Sequence, residues 1–131
     1  MKFLILDYNE DFYPIYRRKL EGLSDTDIKF CKNQLEANEA CLLYKPDCIL
    51  ISHLLEKTYS SYDFFRKLGY KGDIIILVPG KDKFIKRNFY NGISGILDKF
   101  LNREDFQSRL TELLTPLQAV KNHNITQSKV Y

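Results

Sequence analysis

The fold of this chain is decided by residues 45–53, whose sequence is KPDCILISH. Four consecutive apolar side chains, Cys48 to Ile51, stand between a polar entry and a polar exit. A strand with one face in water alternates apolar and polar residues, and this run does not, so we expect a central strand covered by helices on both faces. In open parallel sheets, binding sites form at the carboxyl ends of the strands, which makes Ser52 the first candidate for a functional position.

The segments on either side of this run have the pattern of further strands. Asp73–Val78 contains a second uninterrupted apolar run, which a Pro-Gly pair stops. Shorter strands are predicted at Lys2–Leu6, at about Ile28–Cys31 and at Ile93–Leu97. We therefore expect five strands, with residues 48–51 in the middle of the sheet.

Five helices are expected between and after these strands. Three follow a side chain that can cap a first turn, namely Asp11, Asn33 and Asn102. A short third helix is predicted over Tyr62–Leu68, and Asp82 can cap a fourth, which carries an aromatic stripe. Alternating strands and helices predict a doubly wound α/β fold with a parallel five-stranded sheet in the order 2-1-3-4-5.

Length and composition are those of one ordinary globular domain. The chain has 131 residues, of which 44% are hydrophobic and 28% charged. No window approaches the ~18 apolar residues of a membrane span, and no cleavable leader pattern opens the sequence, so we expect a cytoplasmic protein. We expect a domain over residues 1–118 and a flexible tail or linker over 119–131, where the sequence is mostly polar. The net charge of +3 is too small to indicate nucleic-acid binding by itself.

The sequence offers little sign of enzyme chemistry. Cys31, Cys41 and Cys48 share no CxxC spacing, so we expect buried, reduced thiols rather than metal ligands. Ser52 and His53 suggest a hydrolase triad, but neighbours on a strand point to opposite faces and no flanking glycines form a nucleophile elbow. The acidic loop after the first strand would repel the phosphates of a flavin or nucleotide, and no P-loop or GxGxxG motif occurs.

The placement of these features resembles a bacterial response-regulator receiver domain over roughly residues 1–117. The resemblance rests on the acidic turn that begins at Asp7, the entry of residues 45–47 into the third strand, the buried fourth strand and Lys99 after the fifth. It implies a CheY-like, flavodoxin-like (βα)5 fold. It also implies a pocket in which two acids hold magnesium beside a phospho-accepting aspartate, while a hydroxyl and a lysine hold the phosphoryl oxygens.

Two of these five positions carry the family's residue type, Asp7 for the first acid and Lys99 for the lysine. Tyr8 stands at the second acid, Ser52 at the phospho-acceptor and Val78 at about the hydroxyl. A serine hydroxyl lacks the charge and nucleophilicity of a carboxylate, and a single carboxylate holds magnesium poorly. We therefore expect a degenerate pocket with no catalytic residue, metal or cofactor, in which Lys99 pairs directly with Asp7.

The resemblance also implies a contact surface, formed by the fourth helix, the fifth strand and the fifth helix. Ile96 stands at the switch position, where the family has an aromatic residue. The candidate interface residues are Lys83, Phe84, Arg87, Tyr90 and Phe100. The alternative interpretation is a solvated, charged helix face over a core-facing aromatic stripe.

These observations predict a phosphorylation-independent receiver domain that is not an enzyme. It would act in signal transduction and transcription regulation by contacting a protein partner or output domain, as a homodimer, and would reach DNA only through an effector domain. Two alternatives remain open. One is a receiver phosphorylated on a different acid, with Glu10, Asp11 or Glu56 helping to hold magnesium. The other is a domain that senses a small molecule in the vacated pocket.

Overall fold

Five strands form one parallel sheet in the part of the chain that the structure describes. This computed structural model describes residues 1–53, 55–80 and 92–114. The sheet order is β2-β1-β3-β4-β5, as predicted. The strands are β1 (Lys2–Leu6), β2 (Asp27–Cys31), β3 (Cys48–Ser52), β4 (Asp73–Val78) and β5 (Gly95–Asp98).

Helices cover both faces of this sheet. The described helices are α1 (Tyr13–Lys19), α2 (Gln34–Leu43), α3 (Leu55–Lys67) and α4 (Arg103–Leu113), and a 3-10 turn over Glu10–Phe12 precedes α1. Here α4 is the last of the five predicted helices. Four predicted features lie outside the described residues: the helix after Asp82, its aromatic stripe, the tail over 119–131, and the interface candidates Lys83, Phe84, Arg87 and Tyr90.

Two of the predicted helix starts are confirmed by their capping hydrogen bonds. The Asn33 side chain accepts a hydrogen bond from the backbone N–H of Glu36 at 2.8 Å, and α2 begins at the next residue. The Asn102 side chain accepts one from the backbone N–H of Asp105, also at 2.8 Å, ahead of α4. These short-range bonds follow from side-chain chemistry and spacing, which is why the sequence predicts them well.

Two predicted boundaries are wrong. Asp11 does not cap the first helix, because the side chain of Asn9 accepts from the Asp11 backbone N–H at 3.0 Å and starts the 3-10 turn instead. The third helix begins at Leu55 rather than at Tyr62. Once a helix is nucleated, adding a Glu, Lys or Ser costs little, so the helix extends into a segment without apolar periodicity.

Side chains of the strands alternate between two cores. The core on the α1 and α4 side includes Phe3, Ile5, Tyr16, Leu50, Ile75, Leu77, Leu97, Phe106 and Leu110. The core on the α2 and α3 side includes Leu4, Leu6, Ala37, Ile49, Ile51, Phe65, Ile74, Ile76 and Val78. All side chains of β3 and β4 are buried, which explains why neither strand alternates in sequence.

The three cysteines are free and buried, as predicted. Burial raises the pKa of the Cys31 thiol to about 11 and that of Cys48 well above its usual range. Each is therefore a protonated, apolar packing residue at neutral pH. Among the described residues, no helix combines the length and apolar character needed to cross a bilayer.

Replacing Gly95 at the start of β5 with alanine should destabilise the fold. Its φ of +155° disfavours an L side chain, and an added methyl group would overlap the Cδ2 atom of Leu113 in α4. We expect a loss of about 1–3 kcal/mol in the free energy of unfolding, measured by urea titration. The control is Gly22→Ala, where φ is +92° but no atom lies within 4 Å of the added group. An equal loss in both variants would contradict the role of the Leu113 contact.

Candidate functional site

Three polar residues meet at the carboxyl edge of the sheet. Asp7 follows β1, Ser52 ends β3 and Lys99 follows β5. Because Leu6 pairs with Ile51 in the parallel register, Asp7 comes beside Ser52. Their exposed fractions are 4% for Asp7, 6% for Ser52 and 6% for Lys99. The structure thus brings together three of the five predicted pocket positions in one buried polar cluster.

The ammonium group of Lys99 is the centre of this cluster. Its Nζ atom donates a hydrogen bond to Ser52 Oγ at 3.1 Å and lies 3.9 Å from Asp7 Oδ2. It also lies 4.1 Å from the centroid of the Phe12 ring. The expected pairing of Lys99 with Asp7 is therefore confirmed. A hydroxyl, a carboxylate and an aromatic face together surround the cation.

The carboxylate of Asp7 accepts hydrogen bonds from its own loop and from α1. The backbone N–H of Asn9 donates to Oδ1 at 2.8 Å, and the hydroxyl of Tyr16 donates to Oδ2. The hydroxyl of Tyr13 donates to the backbone oxygen of Asp7 at 3.0 Å. Hydrogen bonds to a carboxylate are stronger than those between neutral groups. Asp7 is therefore held in one orientation from several sides.

Burial controls the protonation of the groups around Asp7. It raises the pKa of the Tyr16 phenol far above its usual range, and the hydrogen bond to Asp7 adds to this effect. Burial lowers the pKa of Lys99, and the charge of Asp7 partly offsets the shift. Tyr16 is consequently a neutral hydrogen-bond donor at neutral pH. It cannot act as a base towards the Ser52 hydroxyl.

Sequence reasoning missed Tyr16 and Phe12 as members of the cluster. The spacing of apolar residues in the sequence places both on one apolar face of the first helix and predicts nothing more for them. A signal for Tyr16 did exist, because a buried tyrosine hydroxyl needs a hydrogen-bond partner and the strand end beneath α1 offers a carboxylate. No comparable signal exists for Phe12, since a phenylalanine ring in a first turn packs equally well against apolar neighbours.

The remaining predicted positions lie around this cluster or away from it. Val78 packs in the core on the α2 and α3 side, while its backbone oxygen accepts from the Lys99 N–H at 2.9 Å. Ile96 is half-buried against the same core, and Tyr8 is half-buried next to Asp7. Phe100 is 56% exposed. The side chain of Val78 therefore does not join Asp7, Ser52 and Lys99.

These residues do not fit the magnesium ion that the resemblance implies. Magnesium requires several oxygen ligands in near-octahedral geometry. The oxygens of Asp7 already accept from Asn9 and Tyr16, and the ammonium of Lys99 lies 3.9 Å away. Glu10 is exposed in the 3-10 turn. Where side chains are described, over residues 1–53, 61–80 and 92–114, no three His, Cys, Asp or Glu side chains are placed to hold a metal ion.

The sheet order and the site at its carboxyl edge define a flavodoxin-like, doubly wound α/β fold, the fold of receiver domains. Comparisons with protein-family models and with curated proteins found no match. Solved structures do match. The signal receiver domain of a Luxo repressor protein from Vibrio parahaemolyticus superposes with a TM-score of 0.75 at 14% identity, covering 95% of this chain and 97% of that one.

Two further solved structures match over nearly their whole length. The chemotaxis protein CheY4 of Vibrio cholerae has a TM-score of 0.73 at 18% identity, covering 86% of this chain and 98% of that one. A two-component transcriptional regulator AraC from Clostridium phytofermentans has a TM-score of 0.67 at 18% identity, covering 94% and 96%. At these identities the likeness establishes the fold of the chain and leaves its activity open.

Proposed function

We propose that this chain is a receiver-like signalling domain in which a contact between Lys99 and Ser52 replaces phosphorylation. The observation that carries the proposal is the 3.1 Å hydrogen bond from Lys99 Nζ to Ser52 Oγ at the carboxyl end of β3. In the receiver domains that the sequence resembles, the lysine at this position holds a phosphoryl oxygen. Here its ammonium already binds a hydroxyl and faces Asp7, so the pocket holds one arrangement without any added group.

The surroundings of Ser52 argue against transfer of a phosphoryl group to it. A serine becomes a nucleophile when an adjacent base takes its proton. Its hydroxyl contacts the ammonium of Lys99, which donates to Oγ, and the neutral phenol of Tyr16. Neither accepts a proton at neutral pH. The domain is on this proposal a binding protein rather than an enzyme.

The wider role is signalling through protein contact in the cytoplasm. The matched structures support a signalling role, and they come from a repressor, a chemotaxis protein and a transcriptional regulator. We favour transcription regulation through a homodimer and a linked or separate output domain. The contact surface would be the predicted face beside β5 and α4, where Phe100 is exposed.

The two alternatives make different use of the same cluster. A small-molecule sensor needs room at the strand ends, whereas Lys99, Ser52 and Tyr16 are buried there and contact one another. A receiver phosphorylated on another acid needs a magnesium site, and the geometry of Asp7 argues against one. Both observations favour the phosphate-independent interpretation.

Acetyl phosphate with magnesium tests the proposal directly. We expect no phosphoryl adduct on the wild-type chain in intact-mass measurements, because the Ser52 hydroxyl accepts from an ammonium and contacts a neutral phenol. A phosphorylatable receiver domain serves as the control for the reagent. The double variant Tyr8→Asp, Ser52→Asp restores both missing acids and is the matched control within this chain. An adduct on the wild type would refute the proposal, and peptide mapping would identify the acid that carries it.

A further inference from the structure

The ring of Phe12 covers the buried end of Lys99. Phe12 is the last residue of the 3-10 turn, and its ring centroid lies 4.1 Å from Lys99 Nζ. Two other rings hold it in place. Tyr16 stacks against it at a centroid distance of 6.1 Å, and Phe100 contacts it at 6.2 Å with the planes tilted by 52°. The position of Phe12 is therefore defined by α1 on one side and by the residue after Lys99 on the other.

Among the described residues, Asp7 is the acid that pairs with the buried ammonium of Lys99. Its carboxylate lies 3.9 Å away and also accepts from Tyr16 and Asn9. The positions where the resemblance places two further acids hold Tyr8 and Ser52. The face of an aromatic ring has negative electrostatic potential and attracts a cation within about 6 Å of its centroid. The Phe12 ring thus supplies part of the attraction that the absent carboxylates would provide.

We propose that Phe12 is the positioning residue for Lys99, which it holds against Ser52 by a cation–π contact, and that Phe100 connects this contact to the surface. The inference deepens the proposed function and rests on it, because it concerns control of the same Lys99–Ser52 contact. Phe100 is 56% exposed. Displacement of the Phe100 ring would shift the Phe12 ring and loosen Lys99, so the pocket and the surface are coupled without phosphate.

Acetylation of lysines by a limiting amount of acetic anhydride, followed by peptide mass spectrometry, tests this inference. The rate at Lys99 is measured against that at Lys67, whose side chain is 75% exposed, in the same sample. We expect Phe12→Leu to raise the relative rate at Lys99 by roughly threefold to thirtyfold, the range that corresponds to typical cation–π strengths. Phe12→Trp, which keeps an aromatic face, should retain the wild-type rate.

Two further variants serve as the matched control and as the test of the surface connection. Phe64→Leu removes an exposed ring from α3 and should leave the rate at Lys99 unchanged. Phe100→Ala removes the exposed support of Phe12 and should raise the rate at Lys99. Because Phe100 is largely exposed, this variant should fold even if a substitution at Phe12 does not. An unchanged rate in Phe100→Ala would overturn the proposed connection to the surface.

A direct titration of Lys99 separates charge stabilisation from packing. With lysine labelled at Cε, we expect Phe12→Leu to lower the Lys99 pKa further, because the ring favours the charged form, and Phe12→Trp to restore it. Equal acetylation rates and equal pKa values in the Leu and Trp variants would overturn the inference. These readouts do not depend on phosphorylation. A phosphoryl adduct on the wild type would refute the proposed function while leaving the Lys99 measurements unaffected.

Discussion

Asp7→Ala should destabilise the protein by about 3–5 kcal/mol, because it removes the carboxylate that is paired with the buried ammonium of Lys99. The substitution also removes the acceptor for the Tyr16 hydroxyl. The total stability of a domain is on the order of 5–15 kcal/mol, so this loss is a large part of it. Urea titration at pH 7 measures the change. The control is Asp63→Ala, which breaks the exposed pair with Lys67 at 2.9 Å and should cost at most about 0.5 kcal/mol.

The loss of unfolding free energy caused by Asp7→Ala, relative to the wild type, should become smaller as the pH rises from 7 towards 10. Burial already lowers the pKa of Lys99, and the charge of Asp7 opposes that shift. Without Asp7 the pKa in the folded state falls further below the ordinary value, so the folded variant releases its proton at lower pH and gains stability as pH rises. A loss of stability no larger than that of Asp63→Ala would contradict a buried ion pair between Asp7 and Lys99. A loss that grows with pH would contradict it too.

Alkaline pH should unfold the wild-type protein steeply. Burial raises the pKa of Tyr16 and of Tyr70 well above the ordinary value of 10.0, and that of Cys48 well above 9.0. A group whose pKa is raised in the folded state contributes its full stabilisation below its pKa in the unfolded state. That contribution is lost as the pH rises above this value. Above about pH 9–10 each fully buried group should therefore remove up to about 1.4 kcal/mol per pH unit. The lowered pKa of Lys99 has the opposite effect, because it makes stability increase with pH. This gain ends near the ordinary lysine pKa of 10.5.

Urea midpoints at pH 7, 9, 10 and 11 would measure this loss, because the midpoint scales with the free energy of unfolding. Tyr16→Phe removes one of the shifted groups together with its hydrogen bond to Asp7. This variant should be less stable at neutral pH and should lose stability less steeply above pH 10. A slope equal to that of the wild type would show that Tyr16 is not protected from ionisation in the folded state.

Several elements of the fold follow from local chemistry and were predicted correctly. The apolar runs over β3 and β4 predict strands buried on both faces, since alternation disappears when helices cover both sides. Asn33 and Asn102 predict helix starts, because a side-chain oxygen needs only the next turn to find its donor. Asp11 and the start of α3 were predicted wrongly. In both cases several local arrangements compete, and propensity alone does not choose between them.

What the sequence by itself determines about the site is which residues stand at the carboxyl ends of the parallel strands. The strand-end argument singles out Ser52, and the resemblance to receiver domains implies that Asp7 and Lys99 share its pocket. Only the tertiary structure decided what surrounds them. Tyr16 and Phe12 reach this edge because α1 packs across the end of β1, and the direction of a packed side chain depends on neighbours distant in the chain, which no local pattern encodes.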